Sequence, residues 1–153
     1  MQPPVIVNTE SAAETEHFGE TIGRRLRGGE IIELASDLGG GKTTFVHGLA
    51  RGAGSTDRVS SPTFTISKVY KTPRLDIHHF DFYRLPEAGL MEHELHDLLD
   101  DPKIVIVIEW GDIVRHVLPD ERLTIEIVQT AEASRELRAA CHPSLSYLLE
   151  TEA

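Results

Sequence analysis

An apolar strand signal that runs without a break into glycines and then Lys-Thr-Thr leaves a chain few folds to choose from. Ile31, Ile32 and Leu34 read as a buried strand, and Ser36-Asp37-Leu38-Gly39-Gly40-Gly41-Lys42-Thr43-Thr44 follows at once. A helix is expected from Lys42 to about Arg51, ending in the segment Gly52 to Gly54. Strand, glycine-rich turn and helix in that order make the setting of a phosphate loop. Consecutive glycines let backbone N–H groups turn inward, and the helix N-terminus adds positive potential where a triphosphate would lie. In such a loop Lys42 reaches the β- and γ-phosphates and the Thr43 hydroxyl ligates Mg²⁺. Gly39, Gly40, Gly41, Lys42, Thr43 and Thr44 are therefore the candidate nucleotide contacts. The plainer alternative is a turn that merely joins strand to helix. Ser36 occupies the place where G-x-x-x-x-G-K-[ST] has its first glycine, and a serine would be strained there if that position needed a positive φ.

The remaining pattern surrounds this unit with more strands and helices. Val5 to Val7 is a short β-type run; Ser11 and Glu14 have capping-box spacing before Phe18, Ile22 and Leu26, and Gly28 and Gly29 stop that helix. Phe64 to Tyr70 alternates as a strand, Thr72-Pro73-Arg74 can turn, and Leu75 to Phe80 can return beside it as a hairpin. Leu90, Glu94, Leu95, Leu98 and Leu99 mark a helix, Ile104 to Ile108 a fully buried strand, and Ile113 to Leu118 a short helical piece before Pro119. Leu123 to Val128 and Leu137 to Cys141 are two more strands whose link is too short for a crossover. A mixed sheet is expected, with antiparallel strands flanking a parallel centre. At 153 residues the chain has the size of one domain, 1–153, with one site.

A phosphate-loop ATPase needs carboxylates to hold Mg²⁺ and orient water, normally at strand ends beside the loop. Asp81, at the end of the strand Leu75 to Phe80, and Glu109, at the end of Ile104 to Ile108, meet that condition. Taken singly, each could equally be an ordinary solvated acid at a strand end.

Four segments in order then resemble one family. Ser36 to Phe45 is similar to the G-D-L-G-A-G-K-T-T-F of the TsaE family, and Ser61-Pro62-Thr63-Phe64 to its S-P-T-F segment. His79-Phe80-Asp81-Phe82-Tyr83-Arg84-Leu85 is similar to its H-x-D-x-Y-R-L block, and Ile108-Glu109-Trp110 to its I/V-E-W. The first and last thirty or so residues match only in pattern, and His96 departs from the glycine common in the helix after the Y-R-L block.

The resemblance implies an α/β fold, a P-loop NTPase-like three-layer sandwich with a mixed sheet, and ATP with Mg²⁺ as ligands. It also implies weak ATP hydrolysis, switched on by a TsaB-TsaD type protein complex during threonylcarbamoyl-adenosine modification of tRNA. Carried over by position, Lys42, Asp81 and Glu109 are catalytic, Thr43 and Glu109 hold the metal, and Thr63 is a switch residue. Trp110 would contact nucleotide or partner, the alternative being core filling. Ser11 and Arg135 lie in regions that approach the nucleotide in the family, although a bare N-cap and a surface arginine are the simpler accounts of them.

Composition narrows the partners. The net charge of −10 lacks the cationic surplus that grips a phosphate backbone, so tRNA is expected to be met only indirectly, through proteins that carry the basic surface. The apolar run Ile104 to Ile108 is far short of the about 20 residues a membrane helix needs. No secretory signal is legible at Met1 to Asn8, and the single Cys141 fits a reducing compartment, so a cytoplasmic location is expected. His78 and His79 point to opposite faces of a strand, and His93 and His96 have no evident third ligand, so zinc is not expected. Arg24, Arg25 and Arg27 cluster at a helix end, where the dipole favours cations. Two other functions share the same loop: a small-molecule kinase, which usually needs an arginine-bearing lid, and a non-catalytic nucleotide sensor that docks on a partner.

Overall fold

Ile104 to Ile108 is apolar at every position, and a strand without a polar face must be covered on both sides. The computed structural model describes residues 3–36, 41–59, 67–82 and 89–150. Its elements run β1 (Val5–Thr9), α1 (Ala12–Arg25), β2 (Ile31–Ser36), α2 (Lys42–Gly52), β3 (Ser67–Lys71), β4 (Asp76–Asp81), α3 (Gly89–Leu99), β5 (Ile104–Glu109), β6 (Leu123–Gln129) and β7 (Arg135–Cys141). Among the described residues the strands form one sheet in the order β1-β7-β6-β2-β5-β4-β3. Strands β6, β2, β5 and β4 are parallel neighbours. Antiparallel β7 and β1 extend one side and β3 the other. The expected mixed sheet is the one observed, and β5 lies inside it.

The period-2 alternation of these strands feeds two cores. Ile32 and Leu34 of β2, Ile77 of β4 and Val105 and Val107 of β5 pack with Ile22 of α1, Leu26 just after it, and Phe45, Val46 and Leu49 of α2. Ile31, Phe80, Ile106 and Ile108 meet Leu95 of α3 with Val114 and Leu118 on the opposite face. Helices thus cover both faces, giving three layers.

Helices α1 and α2 touch backbone to backbone. A Cβ on Gly19 would stand 2.3 Å from the Phe45 carbonyl oxygen, and one on Gly23 2.1 Å from that of Leu49. At the reciprocal positions, a Cβ on Gly48 would stand 1.9 Å from the Glu16 carbonyl oxygen and one on Gly52 2.1 Å from that of Glu20. Both helices carry glycine four residues apart on the facing side, which allows this approach. The start of α1 is thereby held against the start of α2.

The buried carboxylates of Glu30 and Glu33 are paired. Glu33, 2% exposed, receives Arg115 at 2.8 Å and Arg122 at 3.2 Å. Glu30 accepts the backbone N–H groups of Arg27 and Gly28 and the Tyr147 hydroxyl at 2.6 Å. The arginines closing α1 serve structure: Arg24 bonds Glu20, Arg25 donates to the Leu148 carbonyl, and Arg27 lies over the Tyr147 ring.

Several boundaries differ from the sequence reading. The piece expected over Ile113 to Leu118 is a 3-10 helix, Gly111–Val117, closed by Leu118. A second 3-10 helix, Pro143–Leu148, was not expected; six residues opened by a proline carry too little periodicity to announce it. β7 begins at Arg135, two residues early, because its pairing with Thr9 and Gln129 extends that far. The expected strand start at Phe64 lies outside the described residues.

Candidate functional site

The loop expected to hold phosphate ends at Gly41, whose φ of 106° is open to glycine and costly for other residues. Its carbonyl accepts the Phe45 N–H at 3.0 Å, so α2 starts with Lys42, Thr43 and Thr44 in its first turn. Asp37, Leu38, Gly39 and Gly40 lie outside the described residues. Ser36 ends β2 in extended pairing with Ile127, and among the described residues the one non-glycine with positive φ is Trp110. The strain that a serine would suffer at Ser36 therefore does not arise. The positive-φ demand falls on Gly41.

Lys42 is 7% exposed and Glu109 3%, and the Lys42 Nζ stands 3.7 Å from the Glu109 Oε1. Burial strips both groups of water, which makes an opposite charge nearby necessary for the ionised forms. The separation exceeds hydrogen-bond length, so the ammonium is near the carboxylate without being fixed to it. The other carboxylate oxygen, Oε2, is 2.6 Å from the Nε2 of His79, which is itself fully buried. The Nδ1 of that ring is 3.2 Å from the Tyr70 hydroxyl. Tyr70 on β3, His79 on β4 and Glu109 on β5 thus join three adjacent strands by side chains.

Trp110 follows Glu109 with φ 58° and ψ 49°, a left-handed conformation that costs a non-glycine residue about 1–2 kcal/mol. That turn places its ring under the Lys42 ammonium, 4.6 Å from the ring centroid, within cation–π range. Trp110 also packs against the core of the α3 face, as the core-filling alternative expects. Asp81 ends β4 in register with Glu109, and the Phe82 N–H donates to the Glu109 carbonyl at 3.1 Å.

Arg135 approaches the loop from the other side. A Cβ on Gly41 would lie 3.5 Å from the Arg135 Nε. The Arg135 Nη1 donates to the Ser134 carbonyl at 2.9 Å, which steadies the guanidinium beside the hairpin. Gly41, Thr44 and Arg135 line a cleft of about 230 Å³ with Ala12 and Thr15 from the start of α1. Ser11 caps α1, accepting the Glu14 N–H at 3.1 Å, and the residues just after it face the cleft. Thr63 lies outside the described residues, as do Tyr83, Arg84 and Leu85.

The donors suit a magnesium nucleotide. Mg²⁺ takes hard oxygen ligands and is usually held by one or two carboxylates together with substrate phosphates. Thr43 and Glu109 offer such oxygens, and among the described residues Oε1 of Glu109 has no short hydrogen bond, only Lys42 at 3.7 Å. Gly41 and the first turn of α2 offer N–H groups and a positive helix end, a combination that suits phosphate.

The sequence model of the threonylcarbamoyl adenosine biosynthesis protein TsaE matches residues 9–137. The chain belongs to the TsaE family. A relative from Treponema pallidum, named tRNA threonylcarbamoyladenosine biosynthesis protein TsaE, is 38% identical, covering 86% of this chain and 97% of its own. The protein of the same name from Bacillus subtilis is 38% identical over 84% of this chain and 80% of its own. The crystal structure of Bacillus subtilis YdiB is similar to the fold with a TM-score of 0.79 at 31% identity, covering 97% of this chain and 93% of that one.

Two features of this family member escaped the sequence reading. His79 was weighed as a zinc ligand and set aside, whereas its role is a bond to Glu109. The signal was present: alternation puts His79 and Asp81 on one face of β4, and only the neighbouring of β4 and β5 was missing. The paired glycines of α1 and α2 recur at spacing four in both helices and could have been read as a close crossing.

Proposed function

We propose that the chain is the ATP-binding and ATP-hydrolysing component of threonylcarbamoyladenosine modification of tRNA, slow alone and stimulated by a TsaB-TsaD type complex. The observation that carries this reading is the buried Glu109 at the end of β5 with the Lys42 ammonium beside it and the phosphate-loop helix starting at the same place. In this reading Lys42 holds the β- and γ-phosphates, Thr43 and Glu109 face the metal, and Glu109 also orients the attacking water. Mg²⁺ supplies charge neutralisation of the phosphates when bound. Asp81, in register beside Glu109, is needed for turnover, and Arg135 lines the nucleotide side of the cleft. Gly39 and Gly40 complete the loop, Thr63 acts as a switch, and Ser11 contributes through the start of α1. Trp110, beneath the Lys42 ammonium, contacts nucleotide or partner.

The acidic charge supports tRNA contact through partners, and a cytoplasmic place of work goes with that reading. Among the described residues no helix is long and apolar enough to cross a membrane.

The test is ATP turnover by the purified chain with and without a TsaB-TsaD pair, wild type against Glu109→Ala. Partner-dependent turnover that falls about 10²-fold or more in the variant is expected. Nucleotide binding without stimulation would favour the kinase or sensor reading instead.

A further inference from the structure

Glu109 is 3% exposed. Its carboxylate is buried, and its cation, Lys42, is placed to leave it. Once Lys42 turns to phosphate, the 3.7 Å pairing with Oε1 is given up. The His79 contact at Oε2 is then the short side-chain bond that remains to the Glu109 carboxylate among the described residues. A carboxylate only accepts, so the His79 Nε2 donates to it. With its proton on Nε2, the neutral ring accepts at Nδ1, which suits the Tyr70 hydroxyl as donor. The ring is further set by its strand, paired on both sides by β3 and β5, and by the Tyr70 ring at 5.9 Å.

We propose that His79 is a positioning residue for Glu109: by fixing Oε2 it orients Oε1 toward the metal and water side of the phosphate loop, with Tyr70 holding His79 in turn. The proposal rests on the reading of Glu109 given above. Hydrogen bonds to a ligand carboxylate fix its orientation, and their loss typically costs about 10–100-fold in metal affinity or activity. A merely structural histidine would instead trade against any side chain that fills its volume.

The experiment measures ADP affinity by the emission of Trp110, the single tryptophan, with Mg²⁺ and with chelator. The ratio of the two affinities is the magnesium coupling. His79→Leu fills the space without a donor, and His79→Gln places an amide donor where Nε2 stood. Thermal melts establish that each variant is folded. The expected result is a magnesium coupling about tenfold smaller in His79→Leu, recovered in large part by His79→Gln, with the magnesium-free affinity unchanged. Leu and Gln variants that match wild type, or that lose coupling equally, overturn the proposal. If His79→Leu does not fold, Tyr70→Phe decides: a reduced coupling sustains the proposal, and an unchanged one overturns it. A wild-type chain that binds ADP with no magnesium coupling overturns the reading of Glu109, and this proposal with it.

Discussion

Gly48 of α2 lies so close to α1 that a Cβ there would stand 1.9 Å from the carbonyl oxygen of Glu16. The contact is to backbone, which cannot swing aside as a side chain could. Gly48→Ala is expected to destabilise the fold by about 1–3 kcal/mol, the usual cost of overpacking. Because Ala12 and Thr15 of α1 share the cleft with Thr44 of α2, nucleotide affinity should fall in the same variant. Urea unfolding and a nucleotide titration on the one protein check both.

Arg122 is expected to matter more than a surface arginine should. Its Nε donates to the buried Glu33 at 3.2 Å, while the second partner, Arg115, is half exposed. The hydrogen bond to Glu33 holds the Arg115 guanidinium above its ordinary pKa, and its exposure leaves that pair screened by solvent. Arg122→Met leaves Oε1 of Glu33 short of a donor inside the protein, a loss of about 1–3 kcal/mol. The urea midpoint of the variant measures it.

His78 should give the fold a pH dependence of its own. Burial lowers its pKa in the folded state, partly offset by the carboxylates of Asp76, Glu94 and Asp101. The unfolded chain then takes up this proton first as pH falls below about 6.5. The stability contributed by neutral His78 is thus present above that pH and lost as pH falls toward the folded value. Wild type should lose more urea resistance between neutral and mildly acidic pH than His78→Gln. The other histidines, common to both proteins, cancel in the comparison.

The legible parts of this protein were the local ones. β5 declared itself by an unbroken apolar run, and the cap at Ser11 by the spacing to Glu14. The phosphate-loop setting showed in Ile31 to Thr44, because strand, turn and helix signals there are contiguous. What stayed hidden depends on neighbours distant in sequence. Nothing near His79 says that β4 lies beside β5, so its bond to Glu109 appears only once the strand order is known. Trp110 is similar: its positive φ comes from the turn after β5 and its place beside Lys42, and no sequence rule puts a bulky aromatic in that conformation. Arg135 was placed in a strand region from the family pattern, while its approach to Gly41 required the hairpin of β6 and β7 to fold over the loop.

The central claim, a magnesium-nucleotide site built on Lys42 and Glu109, is tested most directly by calorimetric titration of Mg-ATP into the wild-type chain and into Lys42→Ala. The account predicts saturable binding at one site per chain, weakened at least about tenfold when the ammonium is removed, since a charge-assisted bond contributes about 1.5–3 kcal/mol. Absence of saturable binding in the wild type, or equal affinity in Lys42→Ala, would contradict it.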